Sequence, residues 1–216
     1  MREEEKIKAG ILFCPGDPEL VAIKRKTHDL NVDYNQTHEG ETEKRRAILE
    51  EILGGIGEKC SMQGPIFFHY GKHTKVGERF FANFNFTVQD DAEVTIGDDV
   101  NLGPGVTIAT PVHPMLPDER NAMRTASGEI KRLCYAKPVH IGNNEWFGAN
   151  VTVCPGVTIG DNCVIGAGSV VTRSIPANSF AAGVPCKVIR AITEADSLAN
   201  HPEILGDCAV IPSETP

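Results

Sequence analysis

A few polar side chains occupy positions where the surrounding sequence gives them no obvious structural task. His113 lies between Val112 and Pro114 in a proline-rich stretch, and an imidazole, which titrates near neutral pH, can take or return a proton in a reaction. Asn83 stands where the chain's repeat otherwise carries small residues, so its amide could bind a ligand or hydrogen-bond its own turn. Because both residues also have ordinary structural explanations, the elements that hold them must be considered next.

A six-residue repeat determines those elements. From Ile141 onwards an apolar residue followed by a small one recurs at steps of six, as Ile141-Gly142, Phe147-Gly148, Val153-Cys154, Ile159-Gly160, Ile165-Gly166 and Val171-Thr172. A helix repeats apolar residues every three to four positions and a strand every two, so a period of six fits neither. It is typical of a hexapeptide β-helix, in which three short strands form one triangular coil around the apolar residues. The sequence therefore predicts an all-β core.

The repeat divides the chain into three parts. Residues 1–60 lack it and carry helix signals, with Asp17-Pro18 placed to cap one helix and Gly54-Gly55 placed to end another, so we expect an N-terminal helical cap. The β-helix is expected over residues 61–186. Residues 187–216 then form a short C-terminal extension.

The repeat is broken in two places, and polar residues lie at both. The apolar positions of the earlier hexads shift by two residues between Val88 and Ile96, and Asp90-Asp91 lies within this shift. The ordinary explanation of these two carboxylates is a solvated corner. The repeat stops between about residues 109 and 138, a proline-rich stretch that contains His113. Because a long loop leaving a regular coil usually carries function, we expect the chemistry to lie there.

Composition excludes several classes of protein. The formal net charge of −8 argues against a general nucleic-acid-binding role, because a duplex binder needs a basic face to displace counterions. No apolar run is long enough to span a membrane and the first residues lack a signal-peptide pattern, so we expect a cytoplasmic protein without a membrane partner. The seven cysteines form no C-x-x-C pair, which disfavours a disulfide framework or a zinc knuckle.

An ordered set of motifs indicates a family. In chain order these are Phe81-Ala-Asn-Phe-Asn-Phe86, Val94-Thr-Ile-Gly-Asp98, Thr110-Pro-Val-His-Pro114, Ile141-Gly-Asn-Asn144, Val164-Ile-Gly-Ala-Gly-Ser-Val-Val-Thr172 and Ala182-Gly-Val-Pro-Cys186, preceded by Leu12-Phe13 and Asp17. The set resembles the maltose and galactoside O-acetyltransferases of the hexapeptide-repeat acyltransferase superfamily, over roughly residues 5–192. The resemblance implies a left-handed parallel β-helix and direct transfer of an acetyl group from acetyl-CoA to a hydroxyl of a hexose or glycoside.

The resemblance also assigns an acceptor site. It implies that His113 is the general base that removes the hydroxyl proton, and that Asn83 or a backbone N–H stabilises the oxyanion. It implies that Asp17, Asn83 and Asp91 recognise the acceptor. His69 stands where a galactoside-type relative carries serine, so this position is expected to change which acceptor is bound.

The donor site implied by the resemblance lies along the late coils and the strand that follows them. Small residues there would leave room for the pantetheine arm, and basic residues would meet the nucleotide phosphates. The positions that match the family's coenzyme A contacts are Ala149, Ala167, Thr172, Arg173, Lys187 and Arg190. Lys187 replaces an arginine, so we expect its phosphate contact to be weaker but retained.

The resemblance further implies a homotrimer with sites at subunit interfaces, with coenzyme A and a sugar as partners and with no metal required. Three alternatives stay open. The acceptor could be an amino sugar or an antibiotic. The chain could be a metal-dependent hydratase on the same fold, if three of its seven histidines met at a subunit boundary to hold zinc. It could also be a catalytically silent assembly subunit.

Overall fold

The computed structural model describes residues 1–210, and the end of the predicted C-terminal extension, residues 211–216, lies outside that range. Three helices form the N-terminal cap: α1 (Glu3–Lys8), α2 (Pro18–Asn35) and α3 (Thr42–Ile52). The helix signals act as expected, since Asp17 accepts a hydrogen bond from the Glu19 backbone N–H at 3.0 Å and Pro18 is the first residue of α2. The short helix α1 was not predicted.

Parallel strands wind into a β-helix of about six coils with three faces. Face 1 contains β1 (Gly55–Ile56), β4 (Thr74–Val76), β7 (Val94–Ile96), β14 (Val139–Ile141) and β17 (Thr158–Ile159). Face 2 contains β2 (Ser61–Met62), β5 (Phe81–Ala82), β8 (Asn101–Leu102), β15 (Trp146–Phe147), β18 (Val164–Ile165) and β20 (Ser179–Ala182). Face 3 contains β3 (Ile66–Phe68), β6 (Phe86–Gln89), β9 (Thr107–Ala109), β16 (Thr152–Val153) and β19 (Val170–Val171). The predicted parallel β-helix is confirmed.

The apolar residues of the repeat fill the interior of the prism. On face 3, Val88 is in register with Ile108, and Ile108 with Val153, and each is at most 1% exposed. The small second residue of each pair is required by close packing between coils: a Cβ added to Gly148 would lie 2.6 Å from the backbone nitrogen of Ala167. The six-residue period is therefore explained by one buried side chain and one crowded corner per strand.

A ladder of asparagines supports the corner that leads from face 1 to face 2. Asn144, Asn162 and Asn178 adopt positive φ angles of 58°, 61° and 57°, a region that asparagine tolerates better than most residues. The Asn144 side-chain amide donates to Asn162 Oδ1 and the Asn162 amide donates to Asn178 Oδ1, both at 3.0 Å. The ladder thus joins three successive coils at their turns.

Helix α2 closes the exposed edge of face 3 with side-chain amides. Asn31 donates to the Phe68 carbonyl at 2.8 Å and accepts from the Phe68 N–H at 3.2 Å. One helical turn later, Asn35 does the same for Ile66, at 2.9 and 2.7 Å. Each amide takes the place of a neighbouring strand, so α2 is fixed in register against β3.

The predicted loop leaves the coil after β9 and returns at β14. It contains two short antiparallel pairs, β10 (Pro111–Val112) with β13 (Tyr135–Ala136) and β11 (Met123–Arg124) with β12 (Ile130–Lys131), and the helix α4 (Pro117–Asn121). Phe13 and Cys134 exchange backbone hydrogen bonds of 2.8 and 3.1 Å. The N-terminal segment is therefore attached to the base of the loop.

The chain after the last coil folds back on face 2. Strand β21 (Lys187–Ala191) pairs antiparallel with β20, and two 3₁₀ turns (Glu194–Asp196 and Leu198–Asn200) and the helix α5 (Pro202–Leu205) follow it. Within residues 1–210 no helix has the length and apolar character needed to cross a membrane.

Candidate active site

The corner that leads from face 3 to face 1, here called the third corner, is where the repeat is lengthened. Eight positions separate the buried residues Phe68 and Val76, and again Val88 and Ile96, whereas six separate Val153 and Ile159 in a later coil. In the coil between them the same corner opens into the long loop. The extra residues of successive coils therefore lie beside one another, and they include the predicted site residues His69, Asp91 and His113.

Asp90 anchors the first two of these corners. One carboxylate oxygen accepts hydrogen bonds from the backbone N–H groups of Tyr70, at 2.7 Å, and Gly71, at 3.2 Å, and the other accepts from the Thr74 hydroxyl at 2.9 Å. Asp90 is fully buried and Asp91 is 3% exposed, so the expectation of a solvated corner is wrong. Burial raises the pKa of Asp90, and these hydrogen bonds oppose that effect.

Asp91 differs from its neighbour because its Oδ2 has no hydrogen-bond partner among the described residues. Burial, followed by the charge of Asp90, raises the pKa of Asp91 to about 6. Lys24, and after it His73, act on the pKa of Asp91 in the opposite direction. A carboxylate with one oxygen not used by protein donors can accept a hydrogen bond from a ligand hydroxyl.

His69 lies in the preceding coil at the same corner and pairs with a histidine of the cap. Its Nδ1 is 3.3 Å from Nε2 of His28 on α2, and its ring meets the Tyr70 ring edge-on at 5.0 Å. Burial, aided by the charge of Lys24, lowers the pKa of His69 to about 4. His69 is therefore a neutral hydrogen-bonding group at the side of the site, not a cation.

The turn before α2 and the long loop meet beside His113. Lys24 on α2 donates to the Pro15 carbonyl at 2.7 Å, which holds the turn that carries Asp17. A cleft of about 260 Å³ separates this turn from the loop, and it is lined by Pro15, His113, Arg120, Asn121, Arg132 and Leu133. His113 is exposed directly after β10. The cleft thus brings His113 to the turn that carries Asp17, whereas His69 and Asp91 lie at the third corner of the two earlier coils.

Asn83 lies elsewhere in the chain. It follows β5 on face 2, at the corner that leads to face 3, here called the second corner. Its Oδ1 accepts a hydrogen bond from the Phe84 backbone N–H at 2.8 Å, the local turn contact that its ordinary explanation predicts. A single chain therefore does not join Asn83 to the third corner.

The predicted donor residues divide in the same way. Ala149 and Ala167 follow β15 and β18 and continue the column of second-corner residues that contains Asn83. Thr172 and Arg173 follow β19 at the third corner.

Lys187 and Arg190 form a third group on β21. The Arg190 guanidinium lies 5.6 Å from the centre of the Phe180 ring and pairs with the Asp196 carboxylate through contacts of 2.6 and 2.8 Å. The hydrogen bonds to Asp196, followed by the charge of that residue, raise the pKa of Arg190, and the same pairing lowers the pKa of Asp196 to about 2. Arg190 is therefore already neutralised by a carboxylate of the C-terminal segment.

Two residues of this region were missed from the sequence. Tyr70 and Cys134 are buried beside Asp91, and that carboxylate contributes to raising the pKa of both side chains, after burial. The two-residue slip of the repeat could have indicated Tyr70, because the same slip occurs between Phe68 and Val76. Among residues 1–210 no group of three or more histidine, cysteine, aspartate or glutamate side chains is arranged to hold a metal ion.

Comparison with protein families supports the interpretation of both parts of the chain. Residues 6–57 match the maltose acetyltransferase hexapeptide capping motif, and residues 138–173 match the hexapeptide repeat of succinyl-transferase. The first match covers the helical cap and the second covers the regular coils that follow the long loop.

Individual relatives match over nearly the whole chain. The galactoside O-acetyltransferase of Escherichia coli K12 is 45% identical over 195 residues, covering 89% of this chain and 90% of the relative. A solved galactoside acetyltransferase in complex with coenzyme A superposes with a TM-score of 0.83 at 42% identity, covering 91% of this chain and 94% of the other. The maltose O-acetyltransferase of Clostridium difficile 630 also gives 0.83 at 42%, covering 90% and 99%. This chain belongs to the galactoside and maltose O-acetyltransferase family of hexapeptide-repeat proteins.

Proposed function

We propose that this protein transfers an acetyl group from acetyl-CoA to a hydroxyl of a hexose or glycoside. The observation that carries the proposal is the buried carboxylate of Asp91, whose Oδ2 has no hydrogen-bond partner within residues 1–210 and which lies at the same lengthened corner as His113. A carboxylate of this kind suits a polyhydroxylated acceptor, since sugar hydroxyls are good donors. The family relationship supports coenzyme A as the carrier.

The chemistry requires one proton to move twice. His113 takes the proton of the acceptor hydroxyl while the hydroxyl oxygen attacks the thioester carbonyl, and a tetrahedral oxyanion forms. When that intermediate collapses, the carbon–sulfur bond breaks and the imidazolium returns its proton to the departing thiolate. A backbone N–H or the Asn83 amide stabilises the oxyanion. The overall reaction leaves the enzyme unchanged, with an acetyl ester and free coenzyme A as products.

Replacing His113 by Ala tests the assignment of the base. We expect turnover to fall by about 10² to 10⁴-fold or more while coenzyme A binding is retained, because the cleft loses its proton acceptor. His140→Ala is a matched control, since His140 is exposed on β14 and bonds to Thr95 on face 1 at 2.7 Å. Near-normal turnover in the His113 variant would contradict the mechanism.

The acceptor is identified by a screen with acetyl-CoA and detection of the released thiol. Glucose, maltose, galactosides, amino sugars and an aminoglycoside antibiotic are compared at one concentration. A hexose or glycoside as the best acceptor supports the proposal, whereas transfer to an amine points to the amino-sugar or antibiotic alternative. Acetyl-CoA-dependent transfer also fits the cytoplasmic location expected from the sequence.

The distribution of the site residues supports a homotrimer with shared sites. Asn83, Ala149 and Ala167 follow one edge of face 3, and Asp91, His113 and Thr172 follow the other. If face 3 of each chain faces a three-fold axis, the second corner of one chain meets the third corner of its neighbour. Each of three identical sites then takes one edge from each of two chains.

A mixing experiment tests this arrangement. His113→Ala and Asn83→Ala chains are denatured together and refolded as mixed oligomers. With random mixing, about a quarter of the sites combine an intact His113 edge with an intact Asn83 edge, so we expect about a quarter of wild-type activity. If the mixture is no more active than the two separate variants, both residues belong to a site within one chain. If light scattering shows a monomer, the proposal of a shared site is wrong.

A further inference from the structure

The Tyr70 side chain is buried in an unusual way. Its ring is fully buried, stacks on His73 at 5.0 Å with an interplanar angle of 28°, and lies 5.7 Å from Nζ of Lys24. Its hydroxyl, however, has no hydrogen-bond partner among the described residues. A buried hydroxyl without a hydrogen-bond partner destabilises a protein. A phenylalanine would therefore be expected at this position unless the hydroxyl has a functional role.

Of the two carboxylates at this corner, only that of Asp91 has an oxygen without a hydrogen-bond partner among the described residues. Both carboxylate oxygens of Asp90 are already bonded, to the Tyr70 and Gly71 N–H groups and to Thr74. The Asp91 carboxylate is the charge that most strongly raises the pKa of Tyr70 after burial itself, and its Oδ2 is likewise unpartnered. The two side chains are also close in the fold, because Asp91 follows Asp90, whose carboxylate binds the Tyr70 N–H, and because Tyr70 and Ala92 pack in one apolar cluster. Two buried oxygens without a partner among the described residues, one a donor and one an acceptor, therefore lie at the same corner.

We propose that Tyr70 is a positioning residue whose hydroxyl holds the Asp91 carboxylate in one orientation through a bridging water molecule. One water joins a phenol donor to a carboxylate acceptor when the direct distance is too long, and it satisfies both buried groups. The inference rests on the proposed function in one respect, since the held carboxylate is the one assigned to the acceptor. Tyr70 itself does not contact the acceptor.

Tyr70→Phe tests the proposal, because it removes the hydroxyl and keeps the ring. We expect the KM for the best acceptor of the screen to rise about 5- to 30-fold with little change in the KM for acetyl-CoA, since one charge-assisted hydrogen bond is lost. In an Asp91→Asn background the same change has no further effect on the acceptor KM. The thermal midpoint should change little, because the substitution removes the buried hydroxyl together with its hydrogen bond to the water.

Tyr34→Phe is the matched control, since the Tyr34 hydroxyl donates to the Met62 carbonyl at 2.7 Å and accepts from Arg45 at 3.0 Å. It should lower the thermal midpoint and leave the acceptor KM unchanged. A Tyr70→Phe protein that instead loses stability and keeps its acceptor KM would overturn the positioning role.

A second measurement is independent of acetyl transfer. The Asp91 carboxyl carbon is followed by NMR in protein labelled with ¹³C at aspartate and assigned with Asp91→Asn. Because a hydrogen bond to the ionised form lowers the pKa of a carboxyl group, we expect that of Asp91 to be higher in Tyr70→Phe. An unchanged value overturns the proposal even if the enzyme is active. A raised value upholds it even if the acceptor screen fails, so the two failures are distinguishable.

Discussion

Asp90 and Asp91 are adjacent and equally buried, yet they have opposite surroundings. The Asp90 carboxylate accepts three hydrogen bonds that join two coils of the β-helix, whereas Asp91 Oδ2 accepts none within residues 1–210. The first residue thus supports the corner, and the second presents a carboxylate. The two-residue insertion lengthens this corner to eight positions between Val88 and Ile96, and both carboxylates lie within it.

This contrast predicts opposite effects of two similar substitutions. Asp90→Asn should lower the free energy of unfolding by about 2 kcal/mol or more, since one of its two oxygens is replaced by an amide donor that faces other donors. Asp91→Asn should not destabilise the protein, and it should raise the acceptor KM. Thermal unfolding and steady-state kinetics of the two variants separate the roles. Equal loss of stability in both variants would contradict the distinction.

The raised pKa of the Asp91 carboxyl group predicts how the stability of wild type relative to Asp91→Asn depends on pH. Because the carboxyl group has a pKa of about 6 when folded and an ordinary value of 3.8 when unfolded, its ionisation costs the folded state stability. The cost is absent below pH 3.8, grows as the pH rises to 6 and is complete above that. Asp91→Asn should therefore be more stable than wild type at pH 8, by at most about 3 kcal/mol, and equal to it near pH 3.5.

The Arg190–Asp196 pair allows a test of the predicted coenzyme A phosphate site. If Arg190 binds phosphate, Asp196 competes with that ligand, so Asp196→Asn should lower the KM for acetyl-CoA. Arg190→Ala and Lys187→Ala should raise it, and all three effects should shrink as salt is added, because these side chains are exposed.

Arg79→Ala is a matched control for these substitutions. Arg79 is also an exposed arginine in a two-contact pair, with both contacts to Asp99 at 2.7 Å, but it lies on an early coil. Its replacement should leave the KM for acetyl-CoA unchanged. If Lys187→Ala behaves like this control, Lys187 is not part of the donor site.

The periodicity of the sequence was sufficient to predict the coils of the β-helix, but it was not sufficient to predict the geometry of the candidate site. The hexads from Ile141 onwards could be recognised because most of their second residues are small. The expected β-helix began at residue 61, but the hexads of the first coil could not be recognised, because Gln63 and His69 follow its apolar residues Met62 and Phe68. The burial of Asp90 could not be predicted, because a doublet of acids at a turn is ordinarily solvated. It depends on hydrogen bonds from residues about twenty positions away.

The separation of Asn83 from Asp91 could have been predicted by counting. Three hexads make one coil, so Ala82-Asn83 and Val88-Gln89 belong to successive corners. Resemblance alone groups these residues in one site, whereas the geometry of the prism assigns them to different edges. In the proposed shared site the two residues come from different chains, an arrangement that a single sequence does not describe.

Glu145 predicts a second pH effect, unrelated to catalysis. It is 1% exposed, and in the interior of face 2 it is aligned with Val100 and Cys163 of the neighbouring coils. Its Oε1 accepts from the Cys163 N–H at 3.1 Å and its Oε2 has no partner among the described residues. Burial raises its pKa to about 8 from an ordinary 4.5.

Stability should therefore fall as the pH rises from 4.5 to 8, since ionisation of a group with a raised folded pKa opposes folding. Glu145→Val, which restores the residue type of Val100, should remove this dependence and stabilise the protein at pH 9, by at most about 5 kcal/mol. Glu93→Gln, at an exposed site, is the control. Thermal midpoints measured between pH 4.5 and 9 check the prediction, which fails if wild type and Glu145→Val decline in parallel.

Arg45 predicts how strongly the cap is attached to the first coil. Its guanidinium donates to the Tyr34 hydroxyl at 3.0 Å and to the carbonyls of Met62 and Gln63, at 2.5 and 2.8 Å, and lies 4.5 Å from the Tyr34 ring centre. These contacts join α3, α2 and the end of β2, so Arg45→Met removes one donor from each of two carbonyls and a hydroxyl.

We therefore expect Arg45→Met to lower the free energy of unfolding, measured in urea, by about 2 to 4 kcal/mol. Lys44→Met is the control, because it removes only an exposed pair with Glu41, and it should change the free energy of unfolding by less than about 1 kcal/mol. Equal effects of the two substitutions would show that the buried contacts do not hold the cap.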